Sequence, residues 1–282
     1  MAGLLAGCAG GPATPPAASR PASPASSTPL PDAAGPSSSG VPVPSVDDQR
    51  LRAAIAALQS RHAAPIGLAI AGRGSQPVTA GTVQTGPAWS TAKVPVAIAA
   101  AAGPDSSGLD DELRRAITRS DNAAADALYS RLGTPQQAAR ATEAVLRDGG
   151  DRRTTVPLTR KRPEYSVYGQ TQWRLDDQAR FAATLPCRAE AAPVLELMGQ
   201  VSKDQRWGLG TVPRARFKGG WGPAPDGDYL VRQLGVLPAG SGHVGVAIAV
   251  DDVDFATGTR ILDEVAAVVA DSPELGQLAT NC

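Results

Sequence analysis

Apolar residues recur every three to four positions over residues 47–62, at Leu51, Ala54, Ile55 and Leu58, which predicts an amphipathic helix. The apolar runs at 65–71 and 78–83 are short and bounded by turn residues, as strands are. An Ala-rich apolar segment from Ser90 to Ala102 predicts a buried helix. Helical spacing continues through 110–118, 120–132 and 135–146. Residues 147–172 keep no period and carry Arg, Thr, Pro and Gly, which predicts a long loop. Helices follow at 176–185 and 191–201. Strand character then takes over at 214–218, 229–237 and 244–250, and a helix is expected over 258–270. This order predicts an α/β (α+β) domain. Strands from both ends of the chain pair into one five-stranded antiparallel sheet flanked by the terminal helices. The central helices form a second lobe, with a cleft where the lobes meet.

Composition changes the picture at the N-terminus. Residues 9–45 are almost entirely Ala, Pro, Ser, Gly and Thr, too little apolar surface to offset the entropy of ordering. The expectation there is a disordered, partly extended tether. Ahead of it, Leu5-Ala6-Gly7-Cys8 resembles the lipobox of bacterial lipoproteins, which implies lipidation of Cys8. Residues 1–8 then read as a shortened lipoprotein signal, and 46–282 as the folded domain. No basic region precedes the lipobox and the apolar run is short, so the true start is expected upstream. No later segment is apolar for long enough to span a bilayer. One acylated terminus is therefore the expected membrane anchor, on the extracytoplasmic side. The Ala, Gly, Pro and Arg bias suits a high-GC bacterium.

Charge and histidine content narrow the function classes. Lys plus Arg and Asp plus Glu number 27 each, without the basic excess typical of a nucleic-acid binder. Hydrophobic residues make up 42% of the chain, enough for a real core. His62 and His243 have no Cys or His neighbour at ligand spacing, so neither a zinc site nor a cofactor is expected. Cys187 and Cys282 either pair, in an oxidising compartment, or remain two free thiols; spacing alone leaves both open. A monomer is expected.

Three short motifs carry the candidate chemistry. Ser90-Thr91-Ala92-Lys93 places a hydroxyl and an amine three residues apart on one helical face. A serine hydroxyl is a weak nucleophile until a base takes its proton, and a lysine in a dry cleft can serve. Ser120-Asp121-Asn122 offers a hydroxyl to shuttle a proton and an amide for a substrate carbonyl, with Asp121 bracing the turn. Lys218-Gly219-Gly220-Trp221 closes a predicted strand. There Lys218 brings positive charge to the cleft, and the glycines let a ligand approach the backbone. Each motif also has a plain structural reading: a helix start with a solvated lysine, a Ser120 helix cap, and a β-turn.

Their order carries the weight. S-x-x-K, S-D-N and a K-T-G-like box mark class A β-lactamases and penicillin-binding proteins, and residues 46–270 resemble that superfamily. Arg206-Trp207-Gly208-Leu209 and Arg232-Gln233-Leu234-Gly235-Val236 add local echoes. The resemblance implies a serine hydrolase that is acylated at Ser90 by a β-lactam or a peptidoglycan-like peptide. Lys93 would act as base, Ser120 as proton relay and Lys218 as substrate-orienting cation. Asn122, Gly219, Gly220 and Trp221 would bind substrate, with the N–H groups of Ser90 and Trp221 as the oxyanion hole.

Three departures point to weak or no β-lactamase turnover. The K-T-G box reads Lys218-Gly219-Gly220, without its hydroxyl. Only about thirty residues separate Ser90 from Ser120, so the cleft should be more open on that side. The family's Glu-x-x-Leu-Asn pattern is absent from the loop, whose 154–172 stretch holds one carboxylate, Glu164, as a possible deacylation base. Tyr165, Tyr168, Gln170 and Trp173 cluster nearby, either lining the cleft or packing the loop onto the domain. The competing expectation is a non-catalytic envelope lipoprotein that keeps the fold for binding.

Overall fold

A computed structural model describes residues 48–103, 107–225 and 227–282. Cys8 and the 9–45 tether lie outside the described residues. The chain runs α1 (Gln49–His62), β1 (Ile66–Ala71), β2 (Val78–Gly81), α2 (Lys93–Ala102), α3 (Asp110–Thr118), α4 (Asn122–Arg131), α5 (Pro135–Asp148), α6 (Leu175–Thr184), α7 (Ala192–Met198), β3 (Arg216–Pro223), β4 (Tyr229–Ala239), β5 (Gly242–Val253), α8 (Phe255–Ala270) and α9 (Glu274–Leu278). The five strands form one sheet in the order β2-β1-β5-β4-β3, and every neighbouring pair is antiparallel.

Side-chain size decides what covers each face of the sheet. On β1, Ile66, Leu68 and Ile70 alternate with Gly67, Ala69 and Ala71. On β5, Val244, Val246, Ile248 and Val250 alternate with Gly245, Ala247 and Ala249. The bulky face packs against α1 and α8 in one core. The small face meets α6, which lies almost on the strand backbone. A Cβ added to Gly245 would fall 2.1 Å from the Ala179 carbonyl oxygen.

The second lobe is built around α2, whose residues from Lys93 to Ala100 are all buried. Its alanines keep it thin, so α3, α4, α5 and α7 approach it closely. Pro95 is tolerated because it sits in the first turn, where its missing N–H breaks no helical bond. Thr134 and Gln137 form a reciprocal capping box that starts α5.

The expected elements are present, with revised boundaries. β3 begins two residues late and runs to Pro223, because Gly219 and Gly220 pair with Gln233 and Arg232 of β4. The Lys-Gly-Gly motif thus lies inside an edge strand rather than at its end. Ser90 sits in a 3₁₀ turn (Trp89–Ala92) that leads into α2. Asp121, not Ser120, caps α4, accepting the Ala124 N–H at 2.8 Å. Asp254 caps α8 in the same way, so that helix starts at Phe255 rather than at residue 258. The five residues of α9 are too few to show a period in sequence.

Cys187 and Cys282 are joined, with Cα atoms 5.1 Å apart. The bridge and the His243–Thr280 pairing hold the end of the chain against β5. The ligand atoms of Cys187, His243 and Cys282 lie within 4.8 Å of one another, and both sulfurs are consumed by the bridge. Among the described residues, no helix is long and apolar enough to cross a membrane.

Candidate active site

Ser90 opens into a cleft of about 430 Å³ that Ser120, Asn122 and Trp221 also line. The turn that presents it is tightly constrained. Trp89 is held at φ 48°, a left-handed conformation that bulky residues rarely adopt. Thr91 Oγ donates to the Ala88 carbonyl and accepts from Gln178 Nε2 at 2.9 Å. The edge strand β3 presses on the turn from the other side. A Cβ on Gly220 would lie 2.8 Å from both the Ser90 and Thr91 nitrogens, and one on Gly222 would lie 2.5 Å from the Trp89 ring. Gly220 therefore makes room for the Ser90 turn. A Cβ on Gly219 would meet the Trp207 ring at 3.1 Å.

Ser120, like Trp89, is held in a left-handed conformation, at φ 56°. The cap that follows fixes this corner, and the Ala124 N–H holds the Asp121 carboxyl below its ordinary pKa. Two lysines converge on Ser120. Lys218 Nζ donates to its Oγ at 2.8 Å and to the Gly219 carbonyl at 2.9 Å. Lys93 Nζ donates to the Ser120 carbonyl and to Asn122 Oδ1 at 2.7 Å, and reaches Ser120 Oγ at 3.4 Å. With Oδ1 engaged, Asn122 has its Nδ2 donor left for a ligand carbonyl. Among the described residues, no hydrogen bond joins Ser90 Oγ to Lys93. The expected direct Ser90–Lys93 contact is thus replaced by a lysine bound to the Ser120 corner.

Burial governs both amines. It lowers the Lys93 pKa to about 8, while the charges of Asp126 and Asp121 act the other way. Lys218 is 0% exposed, and desolvation, then the neighbouring Lys93 charge, hold it well below the ordinary lysine range. Lys218 therefore corrects an expectation. It lies beneath the cleft wall and holds Ser120, so it is not an exposed cation for a substrate carboxylate.

α5 runs two residues into the expected loop, to Asp148, and the rest of it, 149–172, is a loop apart from a short 3₁₀ turn (Tyr168–Gln170). Tyr165 lines the cleft with its ring edge-on to Trp89 at 5.0 Å. Tyr168, Gln170 and Trp173 instead pack the loop down. Gln170 accepts from the Lys161 and Arg162 amides and donates to the Tyr165 carbonyl. Trp173 Nε1 donates to buried Asp151 at 2.8 Å. Arg162 donates to the Pro223 carbonyl and stacks over Tyr165 at 4.5 Å, tying the loop to the end of β3. Glu164 is exposed at the cleft rim and paired with Arg162 at 3.1 Å. Its hydrogen-bond partner is that arginine, not Ser90 or Lys93.

Two features escaped the motif reading. Arg232, 1% exposed, donates to the carbonyls of Gly86 (2.8 Å), Pro87 (3.0 Å) and Trp173 (2.9 Å), and to Gln178 Oε1 (2.6 Å). It clamps the chain entering the Ser90 turn to the end of the loop, and burial lowers its pKa to about 9. Its signal was the Arg232–Val236 echo. Asp126 lines the cleft one turn after Asn122 on α4 and accepts the Tyr168 hydroxyl at 2.8 Å. A carboxylate four residues past S-D-N was visible but gave no signal. The other echo is structural too: Gln233 bonds the Trp207 carbonyl at 2.7 Å and the Leu209 amide at 2.6 Å.

This arrangement of sheet, helical lobe and cleft has many solved counterparts. An ancestral class A β-lactamase superposes with a TM-score of 0.61 at 20% identity, covering 78% of this chain and 99% of its own. The TLA-3 extended-spectrum β-lactamase gives 0.63 at 15% identity, covering 79% and 98%. The β-lactamase of Streptosporangium roseum gives 0.61 at 16%, covering 79% and 97%. The chain therefore has the fold of class A β-lactamases. No family model matches it, and no curated protein matches its sequence.

Proposed function

We propose that the protein is an exported, lipid-anchored serine hydrolase that forms an acyl-enzyme through Ser90 with a β-lactam or a cell-wall peptide and turns it over slowly. The observation that carries this reading is the Ser120 hydroxyl, held by Lys218 and within reach of Lys93, in the same cleft into which Ser90 opens. In the acylation step Ser90 Oγ bonds to the substrate carbonyl carbon and the C–N bond breaks. The Ser90 proton passes to Lys93 and, through Ser120, to the leaving nitrogen. The Asn122 amide orients the substrate, and the Ser90 and Trp221 N–H groups receive the oxyanion. The Leu5–Cys8 lipobox and the Pro/Ala/Ser-rich stretch after it support attachment at an extracytoplasmic membrane surface.

A second reading, a non-catalytic envelope lipoprotein that binds a wall component, is favoured by one observation: Lys93 is bonded to Ser120 and Asn122 rather than to Ser90. Titration with a chromogenic β-lactam separates the two. A stoichiometric burst followed by slow steady turnover supports acylation. No burst with wild-type protein, at any ligand excess, supports the binding reading.

A further inference from the structure

Hydrolysis of an acyl-enzyme needs a base beside the ester, because neutral water is a poor nucleophile. Among the described residues, the carboxylates lining the cleft are Asp126 and Glu164. Building on the acyl-enzyme reading above, we propose that Asp126, on α4, is the base that activates the hydrolytic water, in place of any carboxylate from the 147–172 loop.

Four observations lead there. Asp126 follows Asn122 by one helical turn, so it shares the face of α4 that carries the Asn122 amide into the cleft. Its Oδ1 accepts the Tyr168 hydroxyl at 2.8 Å, which fixes the carboxylate while the residue stays exposed to the cleft. Tyr168 is a stable donor for this task. It is 1% exposed, its ring packs on Tyr129 at 5.1 Å, and burial and the Asp126 charge both push its pKa up. Asp126 also acts on the reacting corner, as the larger of the two charges that favour protonated Lys93. Glu164 has none of these supports: its carboxylate is bound to Arg162 at 3.1 Å.

The step balances without a co-reactant. Asp126 takes one proton from water as the water oxygen attacks the acyl carbonyl carbon. The bond from that carbon to Ser90 Oγ then breaks, the proton held by Asp126 returns to Oγ, and the product leaves as a carboxylic acid.

The test is Asp126→Asn followed with a chromogenic β-lactam, with burst and steady state recorded separately. The expected result is a burst at least as large as in wild type, steady turnover about 100-fold lower, and an acyl adduct that persists in the intact mass. Wild-type turnover in D126N overturns the assignment. So does loss of turnover in E164Q with D126N unaffected, and so does equal loss of burst and turnover in a D126N protein with wild-type circular dichroism. A wild type that acylates and never turns over overturns it while leaving the Ser90 reading intact; a wild type that never acylates removes both. Should D126N not fold, Asp126→Ser with added formate replaces it. Turnover restored by formate supports the assignment, and no restoration overturns it.

Discussion

Lys218 Nζ donates to Ser120 Oγ across 2.8 Å, although 98 residues separate the two in the chain. The bond fastens the edge strand of the sheet to the corner that starts α4, and so joins the two lobes beside the cleft that Ser90 lines. Lys218 is wholly buried, and its ammonium has lost most of its hydration. Lys218→Met should therefore cut acylation about 100-fold or more while leaving the melting temperature equal or higher, because an apolar isostere removes a desolvation penalty. Thermal melts beside acylation kinetics check both halves.

Acylation should rise with pH and level off above about 8, the value to which burial lowers Lys93. The same shift acts on stability. Between about 8 and the ordinary 10.5, the unfolded chain holds a proton on this lysine that the folded one has released. Stability from this group thus increases with pH across that window, and its penalty is complete below about 8. Stopped-flow acylation rates and denaturant midpoints measured against pH, with Lys93→Met as reference, test the sign.

Gly220→Ala should damage the nucleophile turn without unfolding the protein. The added Cβ would lie 2.8 Å from the Ser90 and Thr91 nitrogens. Relieving so short a contact moves the turn by a fraction of an ångström, and a misplacement of about 1 Å costs about 100-fold in a step that depends on alignment. Acylation rates beside circular dichroism spectra measure it.

Arg232→Ala should be among the costlier single changes. It strips one buried guanidinium from three carbonyls and an amide oxygen at the base of the nucleophile turn. The expected loss is about 3 kcal/mol or more, read from denaturant unfolding.

Replacing Cys187 and Cys282 together by Ser should lower stability by about 2–4 kcal/mol, since the bridge spans 95 residues of chain. Acylation of Ser90 should persist, because the bridge lies at the far end of α6, away from the cleft.

Among the described residues, the sequence patterns placed every strand and eight of the nine α-helices, because size alternation and helical periodicity record burial directly. Of the residues in the three motifs, Lys93, Ser120, Asn122 and Lys218 are joined by hydrogen bonds, and Ser90 lines the same cleft as Ser120 and Asn122. What they did not convey was direction. Lys218 looked like a cleft cation and is a buried brace, because the strand carrying it continues past Gly219 and Gly220. Gly220 also packs against the Ser90 turn, a contact its motif did not announce. Glu164 stood out as the loop's one carboxylate in 154–172, whereas Asp126 was hidden in an ordinary helix. Its place in the cleft arises from Tyr168, 42 residues away, a relation no local spacing encodes.

The most direct measurement is peptide mapping by mass spectrometry after incubation with a penicillin. The wild-type peptide containing Ser90 should gain the mass of one intact penicillin, and Ser90→Ala protein should gain none. An adduct on another residue, or equal labelling of both proteins, would contradict the assignment of Ser90 as the nucleophile.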